Sequence, residues 1–217
     1  GEGPVNEQTL GRYTLIRKLA TGGMAEVFLA RADGPGGFAK RLVVKRILPQ
    51  LAGDSTVEEL FKTEARLAAR LDHPNLLQVF DFGREGDGAL VLVMELIDGT
   101  SLRQLVRAVR SGKQLEARLA AKLMALVCEG LHSAHELKNE HGQPLNLVHR
   151  DISPENILLA RSGAVKVADF GIARIEREVQ ITRGDTFRGK LGYAAPEQIM
   201  GEPITRQADL WAVGVTL

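Results

Sequence analysis

His149-Arg150-Asp151-Ile152-Ser153-Pro154-Glu155-Asn156 is the stretch that decides how this 217-residue chain folds. It puts a carboxylate, Asp151, and a carboxamide, Asn156, five residues apart on one loop. Thirteen residues beyond Asn156 comes a second carboxylate, in Ala168-Asp169-Phe170-Gly171, after the hairpin-like run NILLARSGAVKVA. Two carboxylates and an amide oxygen so arranged suit the positioning of a hydroxyl and the binding of Mg²⁺, which prefers oxygen and takes few ligands from protein. Any one of these residues alone also reads as a turn residue or a cap. The constellation as a whole does not.

Upstream of this stretch the hydrophobic period changes twice. Residues 13–20 (YTLIRKLA), 26–32 (EVFLARA) and 41–48 (RLVVKRIL) are alternating or β-branched runs separated by Gly22-Gly23 and by the Gly34–Gly37 turn. They predict an antiparallel meander. From Asp54 to Leu71 the period becomes helical, with Val57, Leu60, Phe61, Leu67, Ala68 and Leu71 on one face. Ser55 and Glu58 fit a capping box, and His73-Pro74 stops the helix. Two further strand-like runs follow, LLQVFDFG (76–83) and ALVLVMELI (89–97). After Asp98-Gly99 the pattern is mainly helical. Ser101 caps SLRQLVRAVR, and Leu119, Leu123, Leu126, Val127, Leu131 and Ala134 mark a longer helix. The fold class is α+β: a strand-rich first half with one helix, then a mainly helical second half, joined near Leu96 to Thr100.

Composition narrows the setting. Lys and Arg number 28 against 27 Asp and Glu, so the near-neutral chain carries no overall nucleic-acid footprint. A 44% apolar content is ordinary for a soluble globular protein with a sizeable core. The lone Cys128 excludes an intrachain disulfide framework and suits a reducing compartment. The best apolar stretch, Ala89 to Ile97, is nine residues long and contains Glu95, too short to span a membrane. The start, GEGPVNEQT, lacks both a signal-peptide form and an initiator Met, and is read as cut from a longer chain.

Two smaller features stay open on the residues alone. Glu64 lies in line with Phe61 and Ala68 on the apolar face of its helix. Either it pairs with Lys45, which ends the apolar run LVV, or it sits solvated at the edge of that face. ATGGMAEV (20–27) lies between two strands. Its glycines either let main-chain N–H groups approach phosphate oxygens or simply make a turn.

Taken together and in order, these motifs resemble the eukaryotic-type (Hanks-type) protein kinase family, particularly bacterial serine/threonine kinases. The pieces are the glycine loop, Val43-Val44-Lys45, the helical Glu64, HRDxxxxN, Asp169-Phe170-Gly171, Ala195-Pro196-Glu197 and a D-x-W-x-x-G segment from Asp209 to Gly214. The resemblance covers Tyr13 to Leu217. It implies a two-lobed fold with a flank at 1–12, an N-lobe at 13–96 and a C-lobe at 97–217. It also implies ATP and Mg²⁺ (or Mn²⁺) as cofactors. Lys45 would contact the α- and β-phosphates and pair with Glu64. Asp151 would orient the substrate hydroxyl as catalytic base, and Asn156 and Asp169 would hold the metal. Leu19, Ala20, Gly22, Gly23, Val27, Val43 and Leu158 would bind the nucleotide. Met94 would guard the back of that pocket, and Glu95 and Leu96 would form the hinge. Glu197 and Asp209 would anchor the activation segment and the catalytic loop.

Three departures from the family pattern matter. The first and third loop glycines are Ala20 and Ala25, which predicts a stiffer loop because Ala disfavours positive φ. Ser153 stands where serine/threonine kinases usually carry Lys. Lys190, in GKLGYAAPE, stands where they carry Thr. The exchange is reciprocal. Lys190 either restores the missing cation near Asp151 or is merely solvated. A charge about 4 Å away is worth a few kcal/mol at an effective dielectric of about 20. Arg150 resembles the family's arginine that binds a phosphorylated activation loop, with Thr186 and, second, Thr182 as candidate phosphosites.

The expected activity is ATP-dependent transfer of phosphate to a protein Ser/Thr hydroxyl, with autophosphorylation in trans, in the cytoplasm and without nucleic acid. The rival reading is a pseudokinase or scaffold module. The chain ends on the apolar WAVGVTL, inside a helix beginning near Thr205, so the C-lobe is expected to be truncated there. A second rival, a small-molecule phosphotransferase, lacks reason for so long an activation segment.

Overall fold

β-Branched and alternating runs build the first of two compact units, Gly1–Arg70 with Gln78–Leu96. The coordinates are a computed structural model that describes residues 8–85, 88–109, 115–170 and 192–217. Six strands form one antiparallel sheet: β1 (Gln8–Leu10), β2 (Tyr13–Thr21), β3 (Ala25–Asp33), β4 (Ala39–Ile47), β5 (Val79–Glu85) and β6 (Ala89–Met94). Their order is β1-β2-β3-β4-β6-β5, so the simple meander is broken at β4. Helix α1 (Ser55–Ala68) carries the chain past the sheet. Strand β5 then lands on the outer edge, and β6, buried at all six residues, takes the interior place beside β4. Strand β1 lies inside the segment read as a flank.

Alternation along the strands gives the sheet two distinct faces. Leu15, Phe28, Ala30, Leu42, Val44, Val91 and Val93 pack on one face with Leu10 and Tyr13 as a closed core. Tyr13 begins β2 and Asp81 lies on the opposite edge strand β5, yet the Tyr13 hydroxyl donates to the Asp81 carboxylate at 2.9 Å. The sheet therefore curls back on itself. Arg12 adds a bond to the same carboxylate.

Helix α1 is capped by Asp54, not by Ser55 as the capping-box pattern suggested. The Asp54 carboxylate accepts the N–H groups of Thr56 and Val57 at 3.0 and 3.2 Å. Glu58 pairs with Arg84 on β5 and accepts the Gly53 N–H ahead of the helix. Two adjacent residues can both cap, and the acid one position earlier does so here, its oxygen reaching two N–H groups.

The second unit comprises Leu71–Leu77 and Ile97–Leu217. It holds a small sheet of β7 (Gly99–Ser101), β8 (Ile157–Ala160) and β9 (Val165–Val167), with helices α2 (Leu102–Val109), α3 (Ala117–His135), α4 (Pro196–Met200) and α5 (Arg206–Thr216). The hairpin NILLARSGAVKVA forms as expected, as β8 and β9. Ser101 caps α2 in a true capping box. Its hydroxyl accepts from the Gln104 N–H, and the Gln104 side chain accepts from the Ser101 N–H. The buried stripe of α3 is shorter than predicted: Leu119 is exposed and Leu126 only half-buried. Its buried part includes Leu123, Val127, Leu131, Ala134 and His135.

Gly130 on α3 has a packing reason. A Cβ there would lie 2.9 Å from the Asn75 carbonyl oxygen. That carbonyl cannot retreat, because it accepts the Val167 N–H at 2.8 Å and the Asn75 side chain is tied to the Val165 carbonyl. Gly130→Ala is therefore expected to lower stability by about 1–3 kcal/mol, despite the better helix propensity of Ala, as read by urea denaturation.

Candidate functional site

In the first unit the chemistry-bearing residues share the sheet face opposite the closed core. Lys45 sits opposite Val27 and Leu92, Val43 opposite Leu29 and Met94, and Ala20 opposite Val27. Cross-strand partners point the same way, so Lys45, Val27, Val43 and Met94 line one surface. Helix α1 lies on this face. Its Glu64 is buried, and the Lys45 ammonium donates to the Glu64 carboxylate at 2.5 Å. Of the two readings left open for Glu64, pairing is the one observed. Burying a lone carboxylate is costly, and the ion pair offsets that cost.

The glycine loop joins β2 to β3. Gly22 N–H donates to the Ala25 carbonyl at 2.8 Å, which closes the turn. Gly22 and Gly23 are exposed at its tip and Leu19 is partly exposed. Ala20 and Ala25 lie within strands, and neither has positive φ. The conformational cost expected of these alanines is therefore absent: nothing in the turn requires a glycine's left-handed backbone at either position. Glu95 and Leu96 follow β6. The Glu95 N–H is already given to the Gln78 carbonyl at 3.0 Å, and its carboxylate accepts the Gln78 N–H at 2.7 Å.

In the second unit the loop around Asp151 is held from three sides. Asn156 donates its side-chain N–H to the Asp151 carbonyl at 2.8 Å and to its carboxylate at 3.1 Å. That fixes Asp151 and leaves Oδ1 as the donor atom Asn156 can offer a cation. Asp209, buried on α5, accepts the His149 and Arg150 N–H groups, each at 2.8 Å, and also meets His135 Nε2 at 2.7 Å. Gln198 on α4 closes the third side. Its amide donates to the Arg150 carbonyl and accepts the Ala195 N–H, each at 3.0 Å.

His149 is a buried structural residue with a defined tautomer. Nδ1 accepts the Asp151 N–H at 3.2 Å, so Nε2 carries the proton and donates to the Ala168 carbonyl at 3.0 Å. Its ring packs on Phe170 at 4.5 Å between centroids. Burial pushes its pKa below the usual histidine range, against the opposing pull of Asp209, the Ala168 carbonyl, Asp151 and Asp169.

Arg150 and Asp169 both adopt left-handed backbone, with φ of 68° and 54°. Non-glycine residues pay about 1–2 kcal/mol for that, and such strain gathers at functional sites. Asp169 is exposed directly after β9, and Leu158 is half-buried on β8 opposite Ser101 and Lys166. Ser153 is buried, and its hydroxyl has no hydrogen-bond partner among the described residues. Lys190, Thr182 and Thr186 lie outside the described residues. Among the described residues no group of three or more His, Cys, Asp or Glu side chains is gathered as for a metal. Asn156 and Asp169 still fit Mg²⁺, which draws only a few oxygen ligands from protein.

His135 and Gln198 are the residues sequence reasoning missed. The chain showed only a helical histidine, and a glutamine following Ala-Pro-Glu carried no signal of its own.

A family model described as the protein kinase domain matches residues 13–217. A tyrosine-protein kinase of Myxococcus xanthus, MasK, is 45% identical over 97% of the chain. The serine/threonine-protein kinases PrkC of Bacillus subtilis and PknA of Mycobacterium tuberculosis are 32% and 35% identical over 98% and 94% of the chain. The chain spans 32%, 31% and 45% of the lengths of these three relatives. The crystal structure of the Mycobacterium tuberculosis PknI kinase domain is similar with a TM-score of 0.70 and 30% identity, over 99% of this chain and 74% of that one.

The depressed His149 pKa has a consequence for stability. The unfolded imidazole takes up a proton near its ordinary pKa, while the folded one resists until lower pH. Its stabilising contribution is thus present above about pH 6.5 and lost as pH falls through the folded pKa. The melting temperature should drop between about pH 7 and about pH 5, and His149→Gln should flatten that slope in a thermal scan.

Proposed function

This chain belongs to the protein kinase family, and from that premise we propose that it transfers the γ-phosphate of ATP to a serine or threonine hydroxyl of a protein. The observation that carries the reading is the loop in which Asn156 fixes Asp151 while Asp209 holds the His149 and Arg150 N–H groups before it. Phosphoryl transfer asks the protein for positioning and charge neutralisation more than covalent chemistry. Asp151 would accept and orient the substrate hydroxyl. Lys45, held by Glu64, would neutralise the α- and β-phosphates. Asn156 and Asp169 would hold Mg²⁺, or Mn²⁺ in its place; the ion supplies charge neutralisation on the phosphates. Val27, Val43, Met94 and Leu158 would enclose the adenine, and the Glu95 and Leu96 main chain would bond it. No described helix is long and apolar enough to cross a membrane. Dependence on ATP and the lone Cys128 favour a cytoplasmic site of action.

One observation favours a second reading of the acceptor. MasK is named a tyrosine-protein kinase, and Ser153 and Lys190 both replace residues typical of serine/threonine kinases. Incubation with radiolabelled ATP and a generic protein, followed by phosphoamino-acid analysis, separates the two. Phosphoserine and phosphothreonine are expected; phosphotyrosine alone would establish the second reading. Asp151→Asn should cut transfer by about 10²–10⁴-fold. Equal labelling in wild type and Asp151→Asn would leave only the scaffold reading. Mass spectrometry of the labelled chain should find phosphate on Thr186 before Thr182, transferred in trans.

We also assign the missing cation to Lys190. Ser153, a short and buried hydroxyl, cannot supply a charge to the transferring phosphate. In a double-mutant cycle, Lys190→Thr should lose activity, and Ser153→Lys should restore part of it only in the Lys190→Thr background. Strictly additive effects would refute the exchange.

A further inference from the structure

Helix α1 meets the sheet through three side chains spaced along one face. Glu58 meets Arg84, Phe61 meets Phe82, and Glu64 meets Lys45. The second and third contacts stand on one row of the sheet, because Phe82 is opposite Leu92 and Leu92 is opposite Lys45. Arg84 lies two residues further along β5, on the same face as Phe82. The first contact is therefore displaced from the other two. Six residues separate Glu58 from Glu64, about 9 Å along the helix axis.

The Glu58–Arg84 contact is branched. Arg84 Nη2 donates to Glu58 Oε2 at 2.5 Å and Nη1 to Oε1 at 3.2 Å, a two-pronged geometry that fixes direction as well as distance. The same Nη1 donates to the Gly88 carbonyl at 2.7 Å, in the connection between β5 and β6. Glu58 Oε1 accepts the Gly53 N–H at 3.3 Å, ahead of the helix. One fork thus joins the segment before α1, its first turns, and the β5–β6 hairpin. Arg84 holds the Glu58 carboxyl below the usual carboxylate range.

We propose that Glu58 and Arg84 are positioning residues for the Lys45–Glu64 pair. The ring contact at Phe61 and the ion pair at Glu64 lie one turn apart, and the apolar burial of Val57 and Ala65 beside them fixes no direction at the start of the helix. A third anchor about 9 Å from Glu64 removes the freedom and keeps the Glu64 carboxylate facing Lys45. Burial alone does not supply this. The Phe61–Phe82 contact is apolar and direction-tolerant, with rings 6.1 Å apart and tilted by 40°. The pair sets the geometry through a partly exposed contact, with Arg84 49% and Glu58 13% exposed, so its contribution to overall stability is small.

The inference rests on the phosphotransfer reading, and its test separates the two. Arg84→Gln, Glu58→Gln, the double variant and Arg84→Lys are made in the whole chain. Phosphotransfer, thermal melting and amide hydrogen exchange are measured on each. Each single Gln variant should lose about tenfold in kcat, with the protein-substrate KM within about twofold. The melting point should move by less than about 3 °C. The double variant should be no worse than either single, because one interaction is lost in all three, and Arg84→Lys should fall between. Exchange should quicken in α1 and stay unchanged in β3 and β4.

Losses that add in the double variant overturn the proposal, as does kcat within about twofold of wild type in both singles. A melting point that falls in step with kcat in every variant, Arg84→Lys included, reduces the pair to a structural one and also overturns it. If wild type transfers no phosphate, the phosphotransfer reading fails by itself. Exchange then decides the positioning claim: faster exchange confined to α1 supports it, and unchanged or uniformly faster exchange rejects it.

Discussion

The buried carboxylate of Asp209 is the constraint on which the second unit depends. It is almost wholly removed from solvent, and an isolated carboxylate so placed would be prohibitively unfavourable. Here it accepts two main-chain N–H groups from the loop that carries Asp151, and it meets His135 from α3. It also sits in the first turn of α5, where the helix dipole favours negative charge. Hydrogen bonds to charged groups are worth about 1.5–3 kcal/mol each, against about 1–2 kcal/mol for the left-handed backbone of Arg150. The bonds win, and the loop stays in a conformation it would otherwise leave. Gln198 adds a hold on the Arg150 carbonyl, so both polar groups of that strained peptide unit's residue are occupied.

Much of this was legible along the chain, and the rest was hidden for identifiable reasons. Alternation placed β2, β3, β4, β5 and β6 because side-chain period is a local property. It said nothing of β4 pairing with β6, since strand order depends on where α1 delivers the chain. Strand β1 escaped notice because three residues offer no period to read. The cap of α1 moved from Ser55 to Asp54 because both residues can cap and only geometry chooses. The stripe on α3 lost Leu119, in the first turn, because hydrophobicity marks what can be buried and not what the neighbouring elements reach.

The site divides along the same line. Asp151, Asn156 and Asp169 were readable because chemistry demands those atoms at that spacing. Of the groups that orient them, Asp209 was named as an anchor of the catalytic loop through the family resemblance, whereas His135 and Gln198 were not, because each comes from a separate helix and carries no motif of its own. Left-handed φ was equally hidden: Arg150 is not a residue that favours such a backbone, and Asp169, which tolerates it better, is chosen for its carboxylate and not for its φ. The glycine loop erred in the other direction. A motif written with three glycines suggested a conformational need at Ala20 and Ala25, whereas both are ordinary strand residues and the turn is closed by Gly22.

Each unit solves one problem with one buried acid. Glu64 in the first unit grips a side chain, so that the Lys45 ammonium is held at one place on the sheet. Asp209 in the second grips a main chain, so that the Asp151 carboxyl is held by the backbone beneath it. The difference follows from the groups being placed. Lysine has four rotatable bonds and needs an anchor at its tip, whereas aspartate is short enough that fixing its backbone and one oxygen suffices. The anchors also differ in what they need in turn. Asp209 is satisfied by the two loop N–H groups and by His135 of α3. Glu64 rides on α1, and its aim is only as good as the docking of that helix on the sheet.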